Sequence, residues 1–564
     1  MARPPRPDLP PAGDEEVELY QRTYTTLLRS SGSTRLRVLE QAHKAMQSAL
    51  HPLAGSDELD LGAFLYATQR LPLGIGEAKT IVMGQEVEAF ERAGLGDVTE
   101  WPVVEAAARR RRWFEGPDAT YAVLLASQSD VDDLVPTLVA YQIEFNKLRH
   151  RLLQVGWPRP QGLPGAEECA RVLGGSADDW TRLQEVWGGA FARRLGRVAE
   201  ADLSLWAQML GGSQVGYARM TRHWWAPVRA QMEADRVDEA PMYVVSSNTH
   251  SLVNLLSGEA RASEDRIVDW LRHSGPGDLR EELAMFEAGT SQGSWENFLY
   301  FAARDYYASA DDAPRRAAED QVGITHLSSR TAMRVAAQVM PLAALDPSRF
   351  DPRLGDVDGG ALARSQAVVV NIDYPLGLGA YNVLREITED RDTLRGVYVL
   401  GKAATLNADV GDVLLSNVVY DEHSGSSYWL DNAFSLEDIA PYLRFGSGLD
   451  NQRAVTVKST FLQNRGYLDR YYRDQYTVVE MEAGPFCDAV YELTDVDRYP
   501  VGEQVNFSKL PVDFGIIHYA SDTPYTQART LGARGLSYYG MDSTYASSIA
   551  ILRRILAREG ALRG

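Results

Sequence analysis

The sequence predicts an α/β fold with a mainly parallel or mixed sheet in its C-terminal part, preceded by a large, mostly α-helical region. Three observations predict it. From residue 367 onward, apolar residues come in short β-branched runs: AVVVNI (367–372), GVYVL (396–400), DVLLSNVVY (412–420), AVTV (454–457), TVVEME (477–482) and FGIIHYA (514–520). Helical patterns follow several of these runs, at 380–387 and 485–493, and the chain closes on an amphipathic one at 543–558. Strands alternating with helices imply crossover connections and a largely parallel sheet. Before residue 344, by contrast, apolar side chains recur at three- and four-residue spacing in 20–30, 35–49, 103–112, 131–153 and 178–197, the period of amphipathic helices.

Taken in order, residues 1–18 (MARPPRPDLPPAGDEE onward) form a proline-rich lead expected to be disordered. Residues 19–344 are read as a mainly helical domain, with a candidate internal boundary near 156–166 where Gly156, Pro158 and the run to Gly165 break the pattern. Inside it, Met242 opens a short apolar strand that enters the hydroxyl-rich loop Ser246-Ser247-Asn248-Thr249 and then a helix; capping of that helix accounts for the loop, ahead of an anion held at its N-terminus. His250 is read as a structural histidine. The run Arg109–Arg112 beside Trp113 is read as a solvated helix face, ahead of an RNA or phosphate patch. The aromatic-rich stretch 293–307 is read as core or interface. Residues 345–363, rich in Pro, Gly and Asp, are the expected linker, and 364–564 the α/β domain.

Bulk properties narrow the class. The 564 residues suffice for three or four domains, or two large ones. A net charge of −20 argues against broad nucleic-acid or anionic-membrane binding. The two cysteines, Cys169 and Cys487, cannot build a disulfide framework, and neither has a metal-like neighbour pattern. No run approaches the length of a membrane helix, and the N-terminus lacks the apolar core of a signal peptide, so a cytoplasmic protein is expected.

In parallel α/β sheets, ligands bind beyond the carboxyl ends of strands. Four such ends carry polar residues here. NIDYPLGLGAY (371–381) runs strand, glycine loop, helix; it suits an anion or ribose cradle and equally a tight turn. VLGKAATLNADVGD (399–412) places Lys402 among small residues, where it meets a phosphate or carboxylate, or only solvent. VVEMEAG (478–484) puts Glu480 and Glu482 on one strand face, a costly pair unless something such as ribose hydroxyls binds it; a surface pair is the bland alternative. HYASDTPY (518–525) sets Asp522 beside Ser521 after an apolar strand, placed either to act as a desolvated general acid or to cap the next turn.

Their order resembles the superfamily of purine nucleoside phosphorylases, methylthioadenosine/S-adenosylhomocysteine nucleosidases and AMP nucleosidases. Gly401 through Asn407 with Val410-Gly411-Asp412 is similar to its glycine-rich segment. Val479-Glu480-Met481-Glu482-Ala483 is similar to its ribose-binding Glu-Met-Glu motif, and Ser521-Asp522 to its late Ser-Asp, with Pro524 as in the AMP nucleosidase branch. The resemblance covers 367–556 and implies a three-layer sandwich. It implies that Asp522, next to Ser521, protonates the departing purine. It also implies that Glu482 and Glu480 hold the ribose hydroxyls, that Met481 packs under the sugar, that Phe461 stacks on the base and that the Leu462 backbone reads its edge. Gly401, Lys402 and Ala403 would line the site, Lys402 where phosphorylases carry a phosphate-gripping serine. Asp373 is the only candidate for the acid that activates water in nucleosidases. These departures favour hydrolysis of the N-glycosidic bond of a purine nucleoside or nucleotide over phosphorolysis with inorganic phosphate. A non-catalytic nucleotide sensor joined to a helical interaction domain is the third reading. No cofactor or metal is called for, and a homo-oligomer is implied by the resemblance alone.

Overall fold

The structure is a computed structural model that describes residues 15–30, 32–157, 165–309, 312–329, 331–389, 393–494, 501–507, 509–523 and 540–563. The first fourteen residues of the expected lead, positions 158–164 of the expected internal boundary, and Pro524 lie outside the described residues; 15–18 form the first turn of the helix Glu15–Ser30. Among the described residues no helix is long and apolar enough to cross a membrane.

Two sheets organise the chain. The first has six strands: β1 (Thr34–Arg35), β2 (Thr80–Gly84), β3 (Val103–Ala106), β4 (Arg109–Glu115), β5 (Thr120–Leu124) and β6 (Trp206–Leu210), in the order β1-β6-β2-β5-β4-β3. Strands β6, β2 and β5 run parallel, and β3 and β4 form an antiparallel hairpin. The expected mainly helical domain 19–344 therefore contains a sheet, and the helix expected at 103–112 is that hairpin. The reason lies in the side chains. Val103 and Val104 pair with Phe114 and Trp113, β-branched against aromatic, as pleated neighbours do. The period of two also sends Arg109 and Arg111 to one side and Arg110 to the other.

The second sheet comprises β7 (Met242–Ser247), β8 (Thr325–Leu327), β9 (Ala337–Pro341), β10 (Val368–Asp373), β11 (Leu394–Thr405), β12 (Val413–Asp421), β13 (Ser426–Trp429), β14 (Gly448–Thr456), β15 (Tyr476–Glu480), β16 (Gln504–Asn506) and β17 (Asp513–Asp522). Every run read as a strand after residue 367 is one. β7 lies between β10 and β11, parallel to both. The sheet thus begins well before the expected 345–363 linker, which is instead a packed connection. Its residues form short turns and the helix Gly359–Arg364; Leu354 is fully buried, and the buried Asp351 accepts the Tyr300 hydroxyl at 2.7 Å. Pro, Gly and Asp were there for tight turns, not for slack.

Side chains alternate across this sheet. Tyr243, Val245 and Val369 face a layer holding the helices Trp295–Ser309 and Met541–Arg558. Met242, Val244, Val368 and Val370 face a layer holding Gln214–Ala234, Leu378–Thr388 and Ala483–Thr494. The result is a three-layer α/β sandwich. Burial on both faces explains why these strands read as continuous apolar runs. At one end the sheet curls shut, because β17 pairs with β11 on one edge and β12 on the other, closing β11, β15, β14, β12 and β17 into a ring.

Candidate active site

A cavity of about 820 Å³ opens where that ring meets the first sheet. This is the size of a small-molecule site. Its walls include Asp373, Gly401, Lys402, Ala403, Glu480, Met481, Glu482, Ser521 and Asp522, so four separate strand ends converge. The register shows why. Ala404 on β11 lies opposite Val479 on one side and Asp522 on the other. Strands about 4.8 Å apart that curl into a ring therefore set the β15 and β17 ends at most about 10 Å from one another.

Each acid has a distinct environment. Glu480 is 3% exposed; it accepts the backbone N–H groups of Glu482 and Ala483, both at 2.6 Å, and the Thr456 hydroxyl. Burial and the neighbouring Glu482 push it up to about 8. With both oxygens engaged, Glu480 shapes the turn that presents Met481 and Glu482. Glu482 is half-buried on the cavity wall. Burial raises it to about 7 against the pull of the Gly377 backbone N–H and of Arg109 and Arg110. Gly377 has φ +51°, and a Cβ there would sit 2.3 Å from the Ser129 hydroxyl, so that close approach requires glycine. Asp522 is 2% exposed, its Oδ2 has no hydrogen-bond partner, and burial pushes it up to about 7 although Lys402 and Arg70 oppose this. Ser521 donates its hydroxyl to the Ala403 carbonyl at 3.3 Å. His518, buried four residues before Asp522 on β17, stands 3.8 Å from Glu480.

Phe461 and Leu462 do not reach the cavity. Both are buried in the core beneath the first sheet, where the Phe461 ring meets Tyr66 edge-on at 5.2 Å. The turn that carries them points the apolar pair into that core and leaves Thr460 and Gln463 on the wall. Asp373 does reach it, paired with Arg110, which also donates to the Asp373 and Tyr374 carbonyls at 3.2 and 3.0 Å.

The other half of the wall comes from the N-terminal region: Tyr66, Arg70, Arg109, Arg110, Arg111 and Asp130. The arginine run is thus not a solvated helix face. Arg109 grips Asp133 with two bonds of 2.9 Å, and Arg111 bridges Asp130 and Asp133 at 2.8 and 2.7 Å. Both aspartates lie in the first turns of the helix Gln128–Gln154, which Ser127 and Asp130 cap reciprocally. A basic run with aromatic neighbours was the available signal; Tyr66 and Arg70, on an ordinary apolar helix, gave none. Replacing Asp133 with Ala leaves the Arg109 guanidinium without its carboxylate and takes one of the two partners of Arg111, and urea unfolding should show a loss of about 3–5 kcal/mol. A loss below about 1 kcal/mol would mean that the pairs do not hold β4 to the helix.

The family model described as "Family of unknown function (DUF6909)" matches residues 36–557. The chain belongs to that family. Every residue that lines the cavity, from Tyr66 to Asp522, lies within that match. No curated protein matches the chain. Solved structures similar to it include the 5′-methylthioadenosine/S-adenosylhomocysteine nucleosidase of Neisseria meningitidis in complex with methylthio-immucillin-A, at 12% identity over 56% of this chain and 99% of that one, TM-score 0.31. The corresponding nucleosidase of Campylobacter jejuni matches at 10% identity over 44% and 96%, TM-score 0.27. A methylthioadenosine phosphorylase from an antarctic soil metagenomic library matches at 8% identity over 34% and 70%, TM-score 0.25. Likeness at that level assigns no reaction.

Proposed function

We propose that this family member cleaves the N-glycosidic bond of a purine nucleoside or nucleotide, by hydrolysis. The observation that carries this is that Asp522 and Glu482 line one cavity, each pushed up to about 7 by burial. Protonated Asp522 donates to the departing base. Ionised Glu482 accepts the ribose hydroxyls and steadies the positive charge that grows on the sugar, with Met481 under the ring. Each contribution is worth on the order of 10²–10⁴-fold. Asp373, oriented by Arg110, is the acceptor for a proton from the attacking water.

Phosphorolysis is the second reading. The cations Lys402 and Arg70, neither in an ion pair among the described residues, favour it. Incubation with inosine, adenosine and AMP, with and without inorganic phosphate, separates the two. Base release at equal rate in both conditions, yielding the free sugar or sugar phosphate, is expected. Release that requires phosphate and gives ribose 1-phosphate would replace hydrolysis with transfer. No release from any of the three would remove the glycosidic reading for these substrates.

A further inference from the structure

We infer that Arg70 and Tyr66, with Lys402 across the cavity, form a subsite for a phosphoryl group. This deepens the proposed glycosidic reading and rests on it for the identity of the rest of the ligand.

Orphaned polar groups gather on this one wall. The helix Leu61–Arg70 places Tyr66 and Arg70 four residues apart, on the same face. Arg70 is 4% exposed, and its guanidinium lies 3.3 Å over the Tyr66 ring and donates to the Tyr66 carbonyl at 3.1 Å. Its Nε is buried with no hydrogen-bond partner, and so are the Tyr66 hydroxyl and Gln463 Oε1, all on cavity-lining residues. The neighbouring Arg109, Arg110 and Arg111 each have a carboxylate partner, whereas Arg70 has none among the described residues.

A buried cation without a partner is expensive, and an arginine does not escape by losing its proton. Burial lowers Arg70 only to about 10, so it stays charged at neutral pH. Lys402, on β11, is also without an ion pair among the described residues and reaches into the same space. Asp522 feels both charges but makes a hydrogen bond to neither, and burial raises it against their pull. Two unpaired cations, one a planar fork and one a compact ammonium, call for a dianion with several acceptor oxygens. A phosphoryl group has that charge and those oxygens. The tyrosine hydroxyl adds a neutral donor beside it.

The phosphoryl group has two sources, a phosphate ester on the substrate or inorganic phosphate. Calorimetric titration of the full chain with inorganic phosphate, adenosine and AMP, on wild type, Arg70→Gln, Arg70→Lys and Lys402→Met, tests the subsite. Wild type should bind AMP or inorganic phosphate measurably. Arg70→Gln and Lys402→Met should each weaken that binding tenfold or more and change adenosine affinity less than threefold, with partial recovery in Arg70→Lys. AMP bound at least tenfold tighter than adenosine puts the group on the substrate. AMP and adenosine bound alike, with inorganic phosphate bound as well, makes it a separate co-substrate. Should Arg70→Gln not fold, the Lys402→Met arm still decides, because that side chain is exposed. Unchanged phosphate and AMP binding in Lys402→Met and in any folded Arg70 variant overturns the subsite, as does the absence of both from wild type. Arg70-dependent phosphate binding without base release from any nucleoside retains the subsite and removes the glycosidic reading. Base release with phosphate binding indifferent to both substitutions does the reverse.

Discussion

Asp522→Asn should lower turnover by about 10²-fold or more while binding falls only modestly. The amide keeps the shape and the polar contacts of the carboxyl but has no acid proton to give the leaving base. The pH dependence provides a second readout. Asp522 must be protonated to donate, so activity drains away as pH rises above about 7. Glu482 must be ionised to support the sugar cation, so activity drains away as pH falls below about 7. Wild-type kcat/KM should therefore trace a narrow bell near neutrality, and Asp522→Asn should lose the alkaline limb. Turnover within about threefold of wild type, or an alkaline limb that survives the substitution, would take the acid role away from Asp522.

Glu482→Ala should damage affinity and rate together. Glu482 lines the cavity, whereas the Glu480 carboxylate is consumed by two backbone N–H groups and the Thr456 hydroxyl. On the proposed ribose role, losing Glu482 removes hydrogen bonds to the bound substrate and charge stabilisation that matters most in the transition state, so KM should rise and kcat fall. A drop of about 10²–10⁴-fold in kcat/KM is expected. Glu480→Gln distinguishes the two acids. It should act mainly on folding stability, by loosening the turn, and only indirectly on affinity. Nucleoside affinity unchanged in Glu482→Ala would contradict the ribose contact, whatever happened to the rate.

Much of the α/β half was legible in the sequence because its strands are buried on both faces. Continuous β-branched runs such as 367–372 and 514–520 have few alternatives, and the acids that follow them fall at strand ends by construction. The first sheet was not legible. Its strands are short, and RRRRW at 109–113 satisfies neither a clean helical nor a clean strand pattern when its partners are unknown. Only Asp130 and Asp133, about twenty residues on, make the run a strand with two paired arginines facing a helix. Phe461 illustrates the same limit. The resemblance implies a base-stacking role for it, yet a turn plus an apolar core on the far side draws it inward.

Local chemistry by itself determined which residues sit at strand ends: Lys402, Glu480, Glu482, Ser521 and Asp522 follow directly from short apolar runs. Tertiary structure alone decided which acid is engaged by its own turn, which faces the cavity, and that Arg70 and Tyr66 from far upstream share that cavity. Chain order places a residue along its own element. Which elements face one another depends on burial and ion pairing summed over the whole molecule, and that sum is written only in the folded state.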